Sequence, residues 1–346
     1  MAEKILIIQL KQIGDVLMTT PAVRALYQEN PQREIHYLTQ KPSNQIFEFS
    51  PYISKTILYP SQEKVGDLLK LIKQLRNENY STVIDFLGLP KTALLARLTG
   101  AKQRIGFNLR GRNLFYTDAL DKSAGVHYSA AQKLGLLEAL GIYSQDSQID
   151  FFIGEQDREK ARQIFEEVGV DPAKLLVTVS PVSRRDYKVW PAQHFAQLCD
   201  FLIEKYSAQI LFLWGPGEEH FIEAVRQGMK HQALPNYDIP TIRQTVALFE
   251  QADLHIGNDN GPMHFAISTR MPTIAIFGRP QAKNWIPPHR AQHQAIEYDP
   301  GCKDSCTYPQ CQLECIRGVQ PSIVITAAQE QLERILSEGL KRDNLK

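Results

Sequence analysis

Leu254-His255-Ile256-Gly257-Asn258-Asp259-Asn260-Gly261-Pro262-Met263-His264 compresses a strand, a turn and a helix start into eleven residues. Aliphatic residues predict a strand over 254–257, and the polar and glycine run breaks it. Pro262 opens a helix over 262–268, where its missing N–H is harmless. A second strand, 273–277, follows at once. Strand, helix and strand joined by short links describe a parallel sheet covered by helices. In such sheets ligands sit beyond the carboxyl ends of the strands. The N–H groups of Gly261, Met263 and His264 therefore head a helix where phosphate oxygens are welcome. His264 taken alone reads more often as a packed helix residue than as a ligand.

The same alternation extends in both directions. Upstream, strands are expected at 175–179 and 209–214, with helices over 190–205, 218–229 and 241–250. Trp190-Pro191 places a proline at the first helical position. The first half repeats the scheme: strands 5–10, 34–38 and 82–86, helices 16–28, 65–76 and 128–140, the last stopped by Gly141. The expected organisation is two doubly wound α/β domains, 1–155 and 170–320, bridged by a helix over 154–169 and followed by a C-terminal helix within 321–346. Facing each other across a cleft, two such domains hold two substrates, an arrangement suited to group transfer.

The bulk numbers agree with soluble globular domains. The chain has 346 residues, 43% hydrophobic and 22% charged. No apolar run approaches the roughly 20 residues of a membrane helix, and the short apolar stretch after Met-Ala-Glu-Lys does not form a signal peptide, so a cytoplasmic location is expected. A net charge of +1 argues against a nucleic-acid partner. Basic residues concentrate between Lys91 and Lys122, where seven Lys/Arg meet two Asp. Four cysteines, Cys302, Cys306, Cys311 and Cys315, follow an x3, x4, x3 spacing rather than the two-residue gaps of zinc ribbons. They are expected to be reduced and to pack a compact loop. Cys199 reads as a small buried apolar residue.

Three further segments carry chemistry. Ile13-Gly14-Asp15-Val16 follows the first strand, so Asp15 either projects into the cleft or caps the helix. It lacks the glycine pattern of a dinucleotide site. Ser180-Pro181-Val182-Ser183 with Lys188 offers a hydroxyl and an ammonium to phosphate, or else a solvated loop. Trp214-Gly215-Pro216-Gly217-Glu218-Glu219 lets a nucleoside approach and gives a carboxylate to ribose, or else forms a plain turn.

Taken together, these segments resemble the heptosyltransferases of lipopolysaccharide core assembly, glycosyltransferase family 9. The resemblance runs through Lys4-Ile5-Leu6-Ile7-Ile8, Ile13-Gly14-Asp15-Val16-Leu17, Thr19-Thr20-Pro21, Arg104-Ile105-Gly106-Phe107, Lys188-Val189-Trp190-Pro191, Gly257-Asn258-Asp259 and Gly261-Pro262-Met263-His264. It implies a GT-B fold with an N-terminal acceptor domain and a C-terminal donor domain. It also implies an ADP-heptose donor, a lipopolysaccharide inner-core acceptor, inversion at the anomeric carbon, and no metal or other cofactor. By the same resemblance Asp15 is the general base. The donor is held by Ser183, Lys188, Glu218 or Glu219, Asp259, Asn260, Gly261, Met263 and His264. Arg104, Arg110 and Arg112, around a loop in the first half, suit an anionic acceptor and peripheral contact with the inner membrane. Two departures fall in the donor half: Val182 where many members carry glycine, and Asn260 where many carry Ser or Thr. The competing readings are a nucleotide-sugar epimerase of similar shape and a catalytically silent sugar-nucleotide binder.

Overall fold

A computed structural model describes residues 3–279, 281–288, 290–302 and 305–337. The chain divides into a first unit ending at Phe152 and a second beginning at Ile153.

In the first unit the strands are β1 (Lys4–Ile8), β2 (Glu34–Thr39), β3 (Lys55–Leu58), β4 (Thr82–Asp85), β5 (Gln103–Phe107) and β6 (Asp118–Leu120). Its helices are α1 (Ile13–Leu17), α2 (Thr20–Glu29), α3 (Val65–Asn77), α4 (Pro90–Leu98) and α5 (Ser129–Gly135). The sheet order is β3-β2-β1-β4-β5-β6 and every neighbouring pair is parallel. β1 lies at the centre, and its Ile5, Leu6, Ile7 and Ile8 are fully buried. An unbroken aliphatic run fits a strand covered on both faces, and each such side chain contributes roughly 1.5–3 kcal/mol by leaving water.

The second unit contains α6 (Glu155–Val168), β7 (Leu176–Ser180), α7 (Ala192–Tyr206), β8 (Gln209–Phe212), α8 (Glu219–Gly228), α9 (Ile242–Glu250) and β9 (Leu254–Asn258). It continues with α10 (Gly261–Ser268), β10 (Thr273–Phe277), β11 (His293–Glu297), α11 (Glu314–Arg317) and α12 (Pro321–Ser337). Its sheet order, β11-β10-β9-β7-β8, is again parallel throughout. Both orders reverse direction at one point, between β1 and β4 in the first unit and between β7 and β9 in the second. A crevice for ligands opens at such a reversal.

Several boundaries differ from the sequence expectation. The helix expected over 16–28 is two helices, because the Thr19 and Thr20 hydroxyls donate to the carbonyls of Val16 and Leu17 at 2.7 and 2.8 Å. Pro21 then lies in the first turn of α2, where its missing backbone N–H leaves nothing unpaired. Pro191 is the N-cap of α7 rather than its first helical residue. The helix expected as a bridge over 154–169 is α6, which lies in the second unit. There Asp157 pairs with Arg243, and Arg158 with Glu250, on α9. The C-terminal helix is likewise part of that unit's core through Val324, Ala328 and Leu332. The portion expected beyond residue 337 lies outside the described residues.

Candidate active site

After β1 the chain turns through Gln9, whose amide donates to the Lys11 carbonyl at 2.9 Å, and enters α1 with Gln12 as N-cap. Asp15 is the third residue of that helix and forms a capping box with Gln12 rather than being the N-cap itself. Its Oδ2 lies 3.4 Å from the Gln12 N–H, a long contact that leaves most of the carboxylate's accepting capacity unused. The side chain is 34% exposed, so an incoming hydroxyl has access to it. Beside it stands Lys133, which no sequence signal singled out. Its ammonium donates to the Asp15 carbonyl at 2.9 Å and lies 3.8 Å from Asp15 Oδ1. Burial pushes this lysine down to about 8, against the pull of Asp15.

In the second unit, Asn258, Asp259 and Asn260 each grip a different point of the segment that follows β7. Asn258 Oδ1 accepts from the Trp190 N–H at 3.1 Å. Asp259 Oδ2 pairs with Lys188 Nζ at 2.6 Å. Asn260 Nδ2 donates to the Val182 carbonyl at 2.9 Å and to Ser180 Oγ at 3.1 Å. Two glycines make this closeness feasible. A Cβ on Gly257 would stand 2.2 Å from Ser180 Oγ, and one on Gly278 would overlap the Tyr187 carbonyl at 1.6 Å. Beneath Ser180 lies His255, bonded through its two ring nitrogens to Thr178 and Ser180 at 3.0 and 3.2 Å. Burial lowers this histidine to about 3, so the ring is neutral.

The helix N-terminus is partly occupied. Asn260 is the N-cap of α10 and accepts the Met263 N–H at 3.1 Å. The amide expected to meet the donor at Met263 is here engaged by the cap, and Asn260 braces the turn. Gly261 begins the helix. His264 is buried with its ring 5.8 Å from Trp285 in an edge arrangement, the packed-residue reading. Ser183 is half-buried, and its Oγ accepts from the Arg185 N–H at 3.3 Å. Glu218 closes its own turn by accepting the Gly215 N–H at 2.8 Å, while Glu219 is exposed in the first turn of α8. The plain-turn reading therefore describes Glu218.

Among the three arginines, Arg104 is committed to the fold. Its Nε and Nη1 donate to the Phe115 and Ala101 carbonyls at 2.9 and 2.6 Å. Arg112 donates to the Arg110 carbonyl at 2.8 Å, and Arg110 itself is exposed. Cys199 is buried as expected. Cys302, Cys311 and Cys315 are half-buried, whereas Cys306 is exposed. Among the described residues, no three His, Cys, Asp or Glu side chains are grouped to hold a metal ion. The cysteine-bearing loop leans on the Lys188 segment. Tyr308 donates to Asp186 Oδ1 at 2.9 Å, and its ring meets that of Tyr187 at 5.0 Å.

No helix among the described residues is long and apolar enough to cross a membrane. Lipopolysaccharide heptosyltransferase 1 of Campylobacter coli is 25% identical over 289 residues, covering 80% of this chain and 84% of that protein. A family 9 glycosyl transferase from Veillonella parvula superposes with a TM-score of 0.82 at 22% identity, over 96% of this chain and 97% of its own. The ADP-heptose lipopolysaccharide heptosyltransferase II of Escherichia coli gives 0.77 at 17% identity, over 96% and 99%. Both superpositions establish the fold, two parallel-sheet α/β domains of the GT-B class. Residues 68–316, well over half of the sequence, match the description of one family, and the chain belongs to it: glycosyltransferase family 9, the heptosyltransferases.

Proposed function

We propose that this enzyme transfers heptose from ADP-heptose to the inner core of lipopolysaccharide, with inversion and without a metal ion. In this reading the first domain takes the acceptor and the second the donor. The acceptor oxygen bonds to the anomeric carbon as the bond from that carbon to the diphosphate breaks. ADP leaves with the bonding electrons, and the acceptor proton passes to Asp15. A single displacement of this kind inverts the centre, because Asp15 acts as base and not as nucleophile. Negative charge growing on the diphosphate is met by Lys188, steadied by Asp259, and by the positive end of α10 at Gly261. Ser183 adds a hydroxyl and Glu219 remains available to the ribose. Arg110, with Arg112, takes acidic groups of the acceptor at the cytoplasmic face of the inner membrane.

The observation that carries this reading is the 2.6 Å Lys188–Asp259 pair beside the head of α10, at the point where the second sheet reverses. An ammonium there supplies charge to a leaving diphosphate without a divalent cation. The test incubates the protein with ADP-heptose and a truncated lipid A core, and follows ADP and a heavier lipid. One arm contains EDTA and another uses Asp15→Asn. Turnover should survive the chelator and fall roughly 10²–10⁴-fold in the variant, with ADP affinity unchanged. Asparagine keeps the same shape and one acceptor oxygen, so near-normal turnover by Asp15→Asn would remove the base from the mechanism. Loss of activity in EDTA with recovery in magnesium would remove the metal-free step.

A further inference from the structure

α5 presents Ala130, Lys133 and Leu134 to the interior, and the 3-10 turn after it adds Leu136 and Leu137. Lys133 is as buried as its apolar neighbours, at 5% exposure. A leucine would continue this face. Withdrawing an ammonium from water is costly, and apolar replacement of a buried ion pair is often neutral or stabilising. Fold stability therefore gives no reason for a lysine at this position.

What the lysine touches does give one. Its ammonium meets Asp15 twice, across 118 residues of sequence: the carbonyl at 2.9 Å and the carboxylate at 3.8 Å. Asp15 sits in a helix of five residues, too short to fix its own geometry. We propose that Lys133 is a positioning residue for the transfer reaction: its buried ammonium anchors the Asp15 backbone and holds the carboxylate in one orientation. This rests on Asp15 being the base.

The charged surroundings are few. Lys122 lies near enough to act on Lys133. The Tyr37 phenol, on β2, feels Asp15 and is held neutral by burial while bonded to Thr19 at 2.7 Å. The Gln12 N–H lies against the other oxygen of the carboxylate. Among the described residues, Lys133 is the ion-pair partner within 4 Å of Asp15. With its titration near 8, it is charged at neutral pH and loses that charge in mildly alkaline solution.

The test uses the full chain with Lys133→Met, Lys133→Gln and Lys133→Arg, alongside Asp15→Asn. Lys133→Met should lower kcat by about tenfold or more, the scale of cost for a displaced catalytic group. ADP affinity should stay at the wild-type value. The loss should fall on kcat and leave the acceptor KM near its wild-type value, the pattern of an interaction that serves the transition state. Lys133→Gln keeps a donor for the carbonyl and removes the charge, so its kcat should fall as well even if Lys133→Met does not fold. Lys133→Arg, which keeps the positive charge, should restore kcat toward the wild-type value. A folded Lys133→Met or Lys133→Gln with wild-type kcat overturns the role of Lys133 while Asp15→Asn remains inactive. An active Asp15→Asn instead overturns the base assignment, and this inference with it.

Discussion

The pairing of Lys188 with Asp259 makes the donor site testable as a cycle of variants. If Lys188 meets the donor diphosphate as proposed, Lys188→Ala removes a charge-assisted contact worth about 1.5–3 kcal/mol, or roughly 13- to 160-fold in the ADP Kd. It also strips Asp259 of its partner at 2.6 Å. A carboxylate and a phosphate that share one ammonium stand about 5 Å apart. At an effective dielectric of about 40 they repel by roughly 1.7 kcal/mol once the ammonium is gone. Asp259→Asn in the presence of Lys188 should therefore shift the ADP Kd by less than about threefold, because the ammonium screens the carboxylate. In the Lys188→Ala background the same change should tighten ADP by roughly 10- to 20-fold. Calorimetric titration of ADP into the four proteins at constant salt reads the coupling directly. Equal effects of Asp259→Asn in both backgrounds would refute the shared-ammonium geometry, and an unchanged Kd in Lys188→Ala would return Lys188 to the solvent.

Two more expectations follow from side chains whose surroundings are now known. His255 has a folded value of about 3 against about 6.5 unfolded. The unfolded chain therefore binds the extra proton between those limits, and stability present above about pH 6.5 is lost as pH falls. Replacing His255 by Gln should flatten the pH slope of urea stability between pH 6 and 5 by about 1.4 kcal/mol per unit; identical slopes would mean that the ring already charges in the fold. Arg110 is exposed while Arg112 bonds the Arg110 carbonyl, so Arg110→Ala should raise the acceptor KM more than Arg112→Ala does, with ADP affinity unmoved and the effect shrinking as salt rises. A wild-type acceptor KM for both at low salt would assign these residues to loop solvation.

What could be read from sequence depended on whether the cause was local. Aliphatic runs such as 5–8 and 273–277 declare central parallel strands because both faces are covered, and the strand-helix alternation fixes the fold class. The edge strands β3, β6 and β11 were not legible: Lys55–Leu58, Asp118–Leu120 and His293–Glu297 are short and mixed in polarity, and their strand character comes from a neighbour's hydrogen bonds. The 257–264 string marks the turn between β9 and α10, but its asparagines carry a message that composition does not. An Asn before a glycine-proline helix start reads as a ligand contact or a cap. Only the fold brings Val182 and Ser180 to Asn260, and Trp190 to Asn258.

The same distinction explains why the loop carrying Lys188 is not simply a flexible phosphate clamp. Its two ends are fastened by the amide side chains of Asn258, which is buried, and Asn260, which is half-buried, and its middle by the Asp259 carboxylate. Anchors at Val182 and Trp190 limit how far Lys188 travels, so in the proposed function its charge is already placed when the donor arrives and little reorganisation accompanies charge transfer to the leaving group. On the proposed role of Lys133, Asp15 has a corresponding device in the first unit, a buried ammonium instead of a row of amides. Each proposed reacting group thus stands on a short, weakly self-supporting segment and is held by a residue distant in sequence. Substitutions in those holding residues should therefore alter rate constants and pH profiles before they alter the fold.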